Sequence, residues 1–262
     1  MSNILIALLV VAAIGLIAGV LLTLASHFLR VEEDQRAVEL RACLPGVNCG
    51  ACGYAGCDDY AKALAQGGVK TNLCIPGADQ VAAEIAAILG VEAEDVAEQV
   101  AVVHCNGTCE ATSKKAVYDG VQTCRGASMI YGGPDACSYG CLGCGDCAAV
   151  CPVSAICVKD GIARIDRRVC IGCGMCVETC PKGIISLVPQ LAKTAVLCSN
   201  KDKGAVARKA CTKACIGCKK CEKACPENAI TVVNDLAVID YAKCTGCGAC
   251  VEGCPTHCLV NL

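Results

Sequence analysis

The longest apolar stretch of the chain lies near its N-terminus, where Ile4 to Leu24 form 21 residues without a charged side chain. As a helix this stretch is about 31 Å long, which is enough to cross the hydrocarbon core of a bilayer. A cleaved signal peptide is the alternative, but the run is too long for an apolar signal region, and Met1-Ser2-Asn3 has no positive side chain. The pattern therefore predicts a membrane-spanning anchor over residues 1–30.

The charges beside this stretch predict its orientation. Arg30, Arg36 and Arg41 follow the span, whereas no lysine or arginine precedes it. Basic residues next to a membrane span favour the cytoplasmic side, so we expect the rest of the chain in the cytoplasm. The span has no ionisable side chain and offers ions no path by itself, so any coupled ion transport would depend on partner subunits.

Shorter apolar patterns follow the anchor. Residues 58–65 read as a short helix, and Val81, Ile85, Ile88 and Leu89 share one helical face, which predicts a helical connector over residues 78–123. Further on, β-branched runs flank short turns and predict two hairpins, one in each half of the C-terminal region. Their strands are Ile156–Lys159 with Ile162–Ile165, and Ile230–Val233 with Ala237–Ile239. The whole predicts an α+β chain of small domains behind one membrane helix.

Cysteine dominates the composition, with 29 cysteines among 262 residues but only six tyrosines and one phenylalanine as aromatic residues. Four runs have the form C-x2-C-x2-C-x3-C-P, which is the ligand pattern of bacterial [4Fe–4S] ferredoxins. In that pattern three thiolates bind one cluster, and the fourth binds the cluster of the partner run. The four runs therefore predict two tandem two-cluster modules, over residues 124–190 and 191–262.

The crossed pattern assigns four ligands to each cluster site. We call the sites of the first module 1a (Cys141, Cys144, Cys147 and Cys180) and 1b (Cys170, Cys173, Cys176 and Cys151). The sites of the second module are 2a (Cys215, Cys218, Cys221 and Cys254) and 2b (Cys244, Cys247, Cys250 and Cys225).

A fifth site is predicted upstream, in a domain over residues 31–77. The segment LPGVNCGACGYAGC and a later cysteine give the spacing C-x2-C-x4-C-x16-C, and the ligands of this site N are Cys49, Cys52, Cys57 and Cys74. Four cysteines suffice for one more [4Fe–4S] cluster, and the glycines between them permit close backbone approach. A structural zinc site is the alternative reading of this spacing.

Zinc and disulfides are weaker readings of the four ferredoxin runs. Zinc needs only four ligands per site, and triple-cysteine runs ending in Cys-Pro oversupply it. A complete disulfide framework is disfavoured because the cysteine count is odd and the expected location is reducing.

Nine cysteines remain after these assignments. Each of the eight predicted ligands from Cys141 to Cys180 recurs 74 residues later, and by the same shift Cys124 and Cys137 recur as Cys198 and Cys211. Cys157 and Cys258 are expected to pack as small apolar groups. A sixth cluster on Cys105, Cys109, Cys124 and Cys137 is one possibility, and a site shared by the duplicated pairs, disulfides, or no site are the others. We predict at least one further metal site among the nine, which also include Cys43.

Charge is unevenly distributed although the formal net charge is only −2. Residues 182–223 hold ten basic side chains against Asp202 and Glu222, among them the adjacent Lys219 and Lys220 in a cluster loop. This segment is a candidate docking surface for an acidic soluble ferredoxin, and a solvated linker or a contact with anionic lipid are equal alternatives. No nucleic-acid partner is expected.

The anchor, the LPGVNCGACGYAGC segment with Cys74, the ferredoxin runs and the terminal CPTHC together resemble the B subunit of the Rnf ion-translocating oxidoreductase. The resemblance covers essentially the whole chain and matches the long form with two ferredoxin modules. It implies a membrane complex that couples electron flow from ferredoxin to NAD with sodium or proton transport. The chain would accept electrons from reduced ferredoxin and relay them to membrane partner subunits.

The sequence offers no catalytic residues for bond-making chemistry: it has no Gly-rich nucleotide motif and no flavin-attachment signal. The expected enzyme activity thus belongs to the complex, with flavin and NAD on other subunits. Two other functions fit the ferredoxin runs, namely a polyferredoxin component of another membrane oxidoreductase and a non-enzymatic iron–sulfur redox sensor.

Overall fold

The computed structural model describes residues 2–28 and 34–262. Helix α1 (Ser2–Phe28) contains the predicted span, because Leu8–Ala25 is long and apolar enough to cross a membrane. The large apolar side chains described in α1 are exposed, and none belongs to the four hydrophobic clusters of the described chain. Such a surface is suited to lipid rather than water. Arg30, which entered the orientation argument, lies outside the described residues.

The N-terminal cysteine domain is a small helical unit. Its elements are α2 (Gln35–Cys43), α3 (Cys57–Gln66), a 3₁₀ turn (Ile75–Gly77) and α4 (Ala78–Leu89). Asp34 caps α2 through its side chain, and α3 confirms the helix expected at 58–65. Leu40, Leu64 and Ile85, one from each helix, are fully buried together with Tyr60, whose hydroxyl donates a hydrogen bond to Lys70 O.

The first ferredoxin module contains two antiparallel strand pairs. Its elements are β1 (Gln99–Val103), α5 (Cys124–Ser128), α6 (Asp146–Ala149), β2 (Ile156–Lys159), β3 (Ile162–Ile165), α7 (Met175–Thr179) and β4 (Ile185–Pro189). The pair β2–β3 is the predicted hairpin with its predicted limits, and β1 pairs with β4 so that Val103 lies opposite Ile185.

The expected helical connector over 78–123 is wrong beyond its first part. Only Ala78–Leu89 is helical, and Gln99–Val103 is a strand of the first module. The reason is that β1 buries both faces: Val100 and Val102 pack with Val188, whereas Ala101 and Val103 pack among the cysteines of the module. Consecutive β-branched residues suit such a strand.

The second module repeats this arrangement. It consists of β5 (Thr194–Val196), α8 (Gly204–Ala210), α9 (Lys220–Ala224), β6 (Ile230–Val233), β7 (Leu236–Ile239), α10 (Ala249–Glu252) and β8 (Leu259–Asn261). The pair β6–β7 is the second predicted hairpin, and β7 begins one residue earlier than expected. Strand β5 pairs with β8, so that Val196 lies opposite Leu259.

The first strands of the two modules are equivalent in the structure, but a constant shift of 74 residues along the sequence does not match them. Val103 and Val196 occupy equivalent pairing positions, so Cys105 and Cys198, each two residues beyond them, are equivalent. The repeat in sequence matches Cys198 to Cys124 instead, because the first module has a longer connection between its first strand and its first cysteine run.

Cysteine ligands form part of the hydrophobic core of each module. In the first module Ile184 and Ile185 are buried against Cys147 and Cys176. In the second module the corresponding set includes Ile230 and Leu259 together with buried cysteines of both runs. The hairpins and terminal strands thus enclose the cysteine runs.

Candidate iron–sulfur cluster sites

The second module brings together the cysteines that the crossed pattern assigns. One cavity is lined by all four cysteines of site 2b, including Cys225 from the other run. A second cavity is lined by all four cysteines of site 2a, including Cys254 from the other run. The exchange of the fourth cysteine between runs is therefore present in the geometry.

Backbone N–H groups point at the sulfurs in both modules. Ala155 N–H donates to Cys151 Sγ at 3.2 Å, and the equivalent Ala229 N–H donates to Cys225 Sγ at 3.3 Å. Ala163 N–H donates to Cys141 Sγ at 3.4 Å. Such bonds stabilise a thiolate over a thiol and are typical of ligands in iron–sulfur proteins.

Site N lies within the helical domain. Burial raises the pKa of Cys74 to about 11; an N–H bond from Gly77 opposes this, and the nearby Cys57, Cys49 and Cys52 raise it further. The four predicted ligands are thus close enough to influence one another. The side-chain amide of Asn48 also accepts a hydrogen bond from Cys57 N–H at 2.9 Å and fixes the start of α3.

Site N adjoins site 1b. Burial is the main cause of the raised pKa of Cys173, and among the charged neighbours Cys49 of site N precedes Cys151 and Cys170 of site 1b. The two loops also touch: a Cβ at Gly172 would lie 3.1 Å from the Ile75 side chain. The N-terminal domain therefore presents its cysteines to the first module.

Site 1a has a fifth thiol beside it. Burial raises the pKa of Cys147 to about 12, with further contributions from Cys141, Cys124 and Cys180. Cys124 also raises the pKa of Cys144 through its charge and a side-chain hydrogen bond, after the larger effect of burial. The backbone N–H of Cys124 donates to the Asp146 carboxylate at 2.9 Å. Cys124 therefore belongs to the surroundings of site 1a.

The geometry fits clusters better than single metal ions. Among the described residues, no three cysteine, histidine or acidic side chains are close enough to hold one ion. A zinc ion draws all its sulfurs to about 2.3 Å from one centre, whereas a [4Fe–4S] cluster gives each thiolate an iron of its own. Cavities lined by four separated cysteines match the second arrangement.

Two of the nine remaining cysteines differ from expectation. Cys258 is 2% exposed, as a packed residue would be, but it also lines the cavity of site 2a, where its Sγ lies 3.6 Å from Cys254 Sγ. Cys157 is exposed rather than packed, because it occupies an outward position on β2. The spacing of Cys258 four residues after a Cys-Pro end was the only sequence signal of its position.

Four other remaining cysteines meet where the modules join. Cys105, Cys137, Cys198 and Cys211 line one cavity, together with Cys141 of site 1a. Neither Cys109, which is exposed, nor Cys124 lines it, so the grouping of Cys105, Cys109, Cys124 and Cys137 is wrong.

The basic segment 182–223 is distributed over several elements. Lys182 turns inward and donates a hydrogen bond to Gly132 O at 3.0 Å, whereas Arg208 and Lys209 lie in the last turn of α8. Lys219 and Lys220 are exposed and line the cavity of site 2a. Exposed cations beside a cluster site are compatible with docking of an acidic protein.

Family models match the cysteine-rich parts of the chain. A model described as a putative Fe-S cluster matches residues 44–76, which contain site N. A 4Fe-4S dicluster domain matches residues 140–184 and 214–258, and a second 4Fe-4S dicluster domain matches residues 169–230.

Curated relatives align along most of the chain, and each is the B subunit of an oxidoreductase complex. The chain is 45% identical over 235 residues to that of the Na(+)-translocating ferredoxin:NAD(+) oxidoreductase complex of Acetobacterium woodii, covering 89% of this chain and 71% of the relative. It is 42% identical to that of the proton-translocating ferredoxin:NAD(+) oxidoreductase complex of Clostridium ljungdahlii, covering 92% and 85%. The counterpart from the ion-translocating oxidoreductase complex of Methanosarcina acetivorans is 39% identical, covering 80% and 81%.

Proposed function

The chain belongs to the family of B subunits of Rnf-type ion-translocating oxidoreductase complexes, and we propose that it is the electron-relay component of a ferredoxin:NAD(+) oxidoreductase complex. In this role it accepts electrons from reduced ferredoxin and passes them to membrane partner subunits. Sodium or proton transport and NAD reduction take place on those partners, because the described span carries no ionisable side chain and the chain has no nucleotide-binding motif.

The twenty predicted ligands hold five [4Fe–4S] clusters in this proposal. Bound clusters would supply one-electron, outer-sphere transfer without making or breaking bonds to a substrate. The chain's own residues bind the irons through thiolates, tune them with N–H···S hydrogen bonds, and exclude water with the isoleucines and valines of the strands. The four-cysteine cavities of sites 2a and 2b and the N–H donors repeated in both modules support this assignment.

One observation carries the proposal: predicted sites adjoin one another instead of lying apart, so that site N and the first module form one series and sites 2a and 2b form another. Cys49 of site N lies near Cys173 of site 1b, the cysteines of both runs of the first module pack in one cluster, and sites 2a and 2b each include a cysteine of the other run. A sensor needs one such site, whereas a series is what electron relay requires. The helix α1 would place the series at the membrane, with the clusters on the cytoplasmic side.

The test mixes the full-length chain, purified anaerobically in detergent, with a reduced two-cluster ferredoxin and follows bleaching of the cluster absorbance. We expect rapid reduction of the wild-type chain. In the variant Cys52→Ala we expect a loss of about four iron atoms and four sulfides, since one cluster needs all four thiolates.

Cys43→Ala is the matched control, because Cys43 lies in the same domain and its thiol donates a hydrogen bond to Glu39 O within its own helix. It should keep the iron content and the reduction rate of the wild type. A wild-type chain that ferredoxin leaves oxidised would refute the relay function. Unchanged iron in Cys52→Ala would refute the ligand assignment at site N.

A further inference from the structure

The cavity at the junction of the two modules has no role among the five predicted sites. Five cysteines line it: Cys141, a predicted ligand of site 1a, and four that belong to none of the five sites, namely Cys105 and Cys137 from the first module and Cys198 and Cys211 from the second. We propose that these four cysteines bind a sixth [4Fe–4S] cluster, which connects the two ferredoxin modules. We call this place the junction site.

The cysteines of the junction site form two pairs that are equivalent in the two modules. Cys105 follows β1 by two residues, and Cys198 follows β5 by two residues, at equivalent pairing positions. Cys137 and Cys211 are separated by the 74-residue shift of the ferredoxin runs. Each module thus contributes the same two cysteines, and neither module has a complete site without the other.

The hydrogen bonds to the sulfurs repeat this symmetry. Cys105 Sγ accepts N–H bonds from Gly107 at 3.4 Å and from Cys141 at 3.3 Å. Cys198 Sγ accepts the equivalent bonds from Asn200 at 3.4 Å and from Cys215 at 3.2 Å. Burial raises the pKa of both thiols, and the two N–H donors aimed at each sulfur oppose this effect and favour the thiolate that binds iron.

The remaining two sulfurs are also held in place across the junction. The Asn200 side-chain amide contacts Cys137 Sγ at 3.5 Å. A Cβ at Gly107 would lie 3.4 Å from Cys211 Sγ, so a side chain there would press on the site. Glycine at 107 therefore leaves the sulfurs room.

Backbone and side-chain bonds fasten the two modules at this point. The His104 ring donates from Nδ1 to Val196 O at 2.7 Å and accepts from the Ser186 hydroxyl at Nε2 at 2.6 Å. The Ser199 hydroxyl donates to His104 O at 2.9 Å. These bonds fix the segment of Cys105 against the segment of Cys198, so the four sulfurs are arranged before any cluster binds.

The junction site resembles the other sites in its lining. Its cavity, like the cavities at sites 2b and 2a, is lined by at least four cysteines drawn from separate segments of the chain. Among the described residues no three potential ligands are close enough to share a single ion, which argues against zinc here as it does at the other sites.

The position of the junction site gives its function. The same N–H donors that contact its sulfurs belong to Cys141, a ligand of site 1a, and Cys215, a ligand of site 2a. The junction site therefore lies between the two modules in the series, an inference that rests on the proposed relay function. Each transfer oxidises one cluster and reduces its neighbour by one electron, with reduced ferredoxin as the reductant and no proton or covalent bond involved.

The test counts iron, acid-labile sulfide and zinc in the anaerobically purified full-length chain and in three variants. We expect about 24 iron atoms in the wild type, as six clusters require, with no stoichiometric zinc. Cys105→Ser and its symmetry partner Cys198→Ser should each lose about four iron atoms and four sulfides. Cys109→Ser, four residues from Cys105 but outside the cavity, should lose none.

A wild-type content of about 20 iron atoms, or unchanged iron in both Cys105→Ser and Cys198→Ser, would overturn the proposal, as would zinc lost with these cysteines. Loss of all iron from one variant would indicate that this variant misfolds. The iron content of the wild type and of the other variant then tests the proposal. Reduction by ferredoxin is the separate readout for the relay function. If ferredoxin reduces a wild-type chain that holds only about 20 iron atoms, this result supports the relay function and refutes the cluster at the junction site.

Kinetics of reduction test the connecting role. In Cys105→Ser the modules retain their own clusters, so ferredoxin should still reduce one module rapidly, and the other module should lose its fast phase. This expectation holds whichever module receives the electrons. A single fast phase for all remaining clusters would show that the junction site does not connect the modules.

Discussion

A single thiol, Cys258, distinguishes site 2a from the other sites of its module. It is buried beside two ligands of that site, with its Sγ 3.6 Å from Cys254 Sγ. The Cys258 thiol lowers the pKa of Cys215 and of Cys254, because its single S–H proton can hydrogen-bond either of these sulfurs when that sulfur is deprotonated. A donor of this kind also stabilises the reduced, more negative state of a bound cluster.

Replacing Cys258 with alanine should therefore lower the reduction potential of the cluster at site 2a. Loss of one hydrogen bond of about 0.5–1.5 kcal/mol corresponds to roughly 20–65 mV for a one-electron couple. Potentiometric titration followed by EPR measures the shift, and Cys157→Ala, which removes an exposed cysteine, should leave every potential unchanged. An unshifted potential, or a loss of four iron atoms, would contradict the donor role of Cys258.

Lys219 is a second residue that departs from the repeat. It adopts a left-handed conformation with φ of 58°, where the other three runs have Gly145, Gly174 and Gly248. A non-glycine residue there costs about 1 kcal/mol. A cation beside the cavity of site 2a would stabilise the reduced, more negative state of a bound cluster, so we expect this cluster to have the higher potential of its pair.

At the scale of elements, the hairpins are what hold the cysteine loops in place. The loop of site 1a runs under the β2–β3 turn, so closely that a Cβ at Gly143 would collide with Gly161 O. In the second module a Cβ at Gly217 would similarly lie 3.1 Å from Asp235 Cα in the β6–β7 turn. The glycines in these loops are thus required by contact with the hairpin as well as by their positive φ.

The variant Gly143→Ala should lose the cluster of site 1a. Gly145→Ala is a matched control, because Gly145 also has a positive φ but its Cβ would meet only Val158 Cγ2 at 3.5 Å. Both variants bear the cost of a left-handed alanine, about 1 kcal/mol, so only the collision separates them. Iron analysis should show about four atoms lost in Gly143→Ala and none in Gly145→Ala. Equal iron contents would mean that the hairpin does not hold the loop.

At the scale of the whole molecule, the anchor and the cysteine-rich body are separate in their packing. The described side chains of α1 belong to none of the four hydrophobic clusters, and a Cβ added at Gly15 or Gly19 would have no neighbour within 4 Å among the described residues. The open faces of these two glycines leave room for a helix of a partner subunit.

Deleting residues 2–28 should move the protein from the membrane fraction to the soluble fraction without changing its iron content. The physical reason is that the deletion removes an apolar span but no ligand and no side chain of the described core. Fractionation with iron analysis measures both properties. A chain that remained in the membrane fraction in the absence of its partners would show that α1 is not the main anchor.

The sequence by itself determined the features that depend on particular residue types at a fixed local spacing. The apolar span, the ferredoxin runs and the two hairpins all follow from local spacing, and the family follows from their combination. The crossed ligands and site N are predictions from the same spacing. Local spacing suffices because the geometry of the clusters fixes the distance between thiolates along the chain.

Only the tertiary structure decided how distant segments meet. Strand β1 finds its partner β4 more than eighty residues away, and Cys105 takes the place that the sequence repeat gives to Cys124. The junction cavity likewise combines cysteines from two modules, and Cys258 acquires its role from contacts with Cys215 and Cys254. These arrangements depend on long-range pairing and on a longer connection in one repeat, and neither leaves a fixed spacing in the chain.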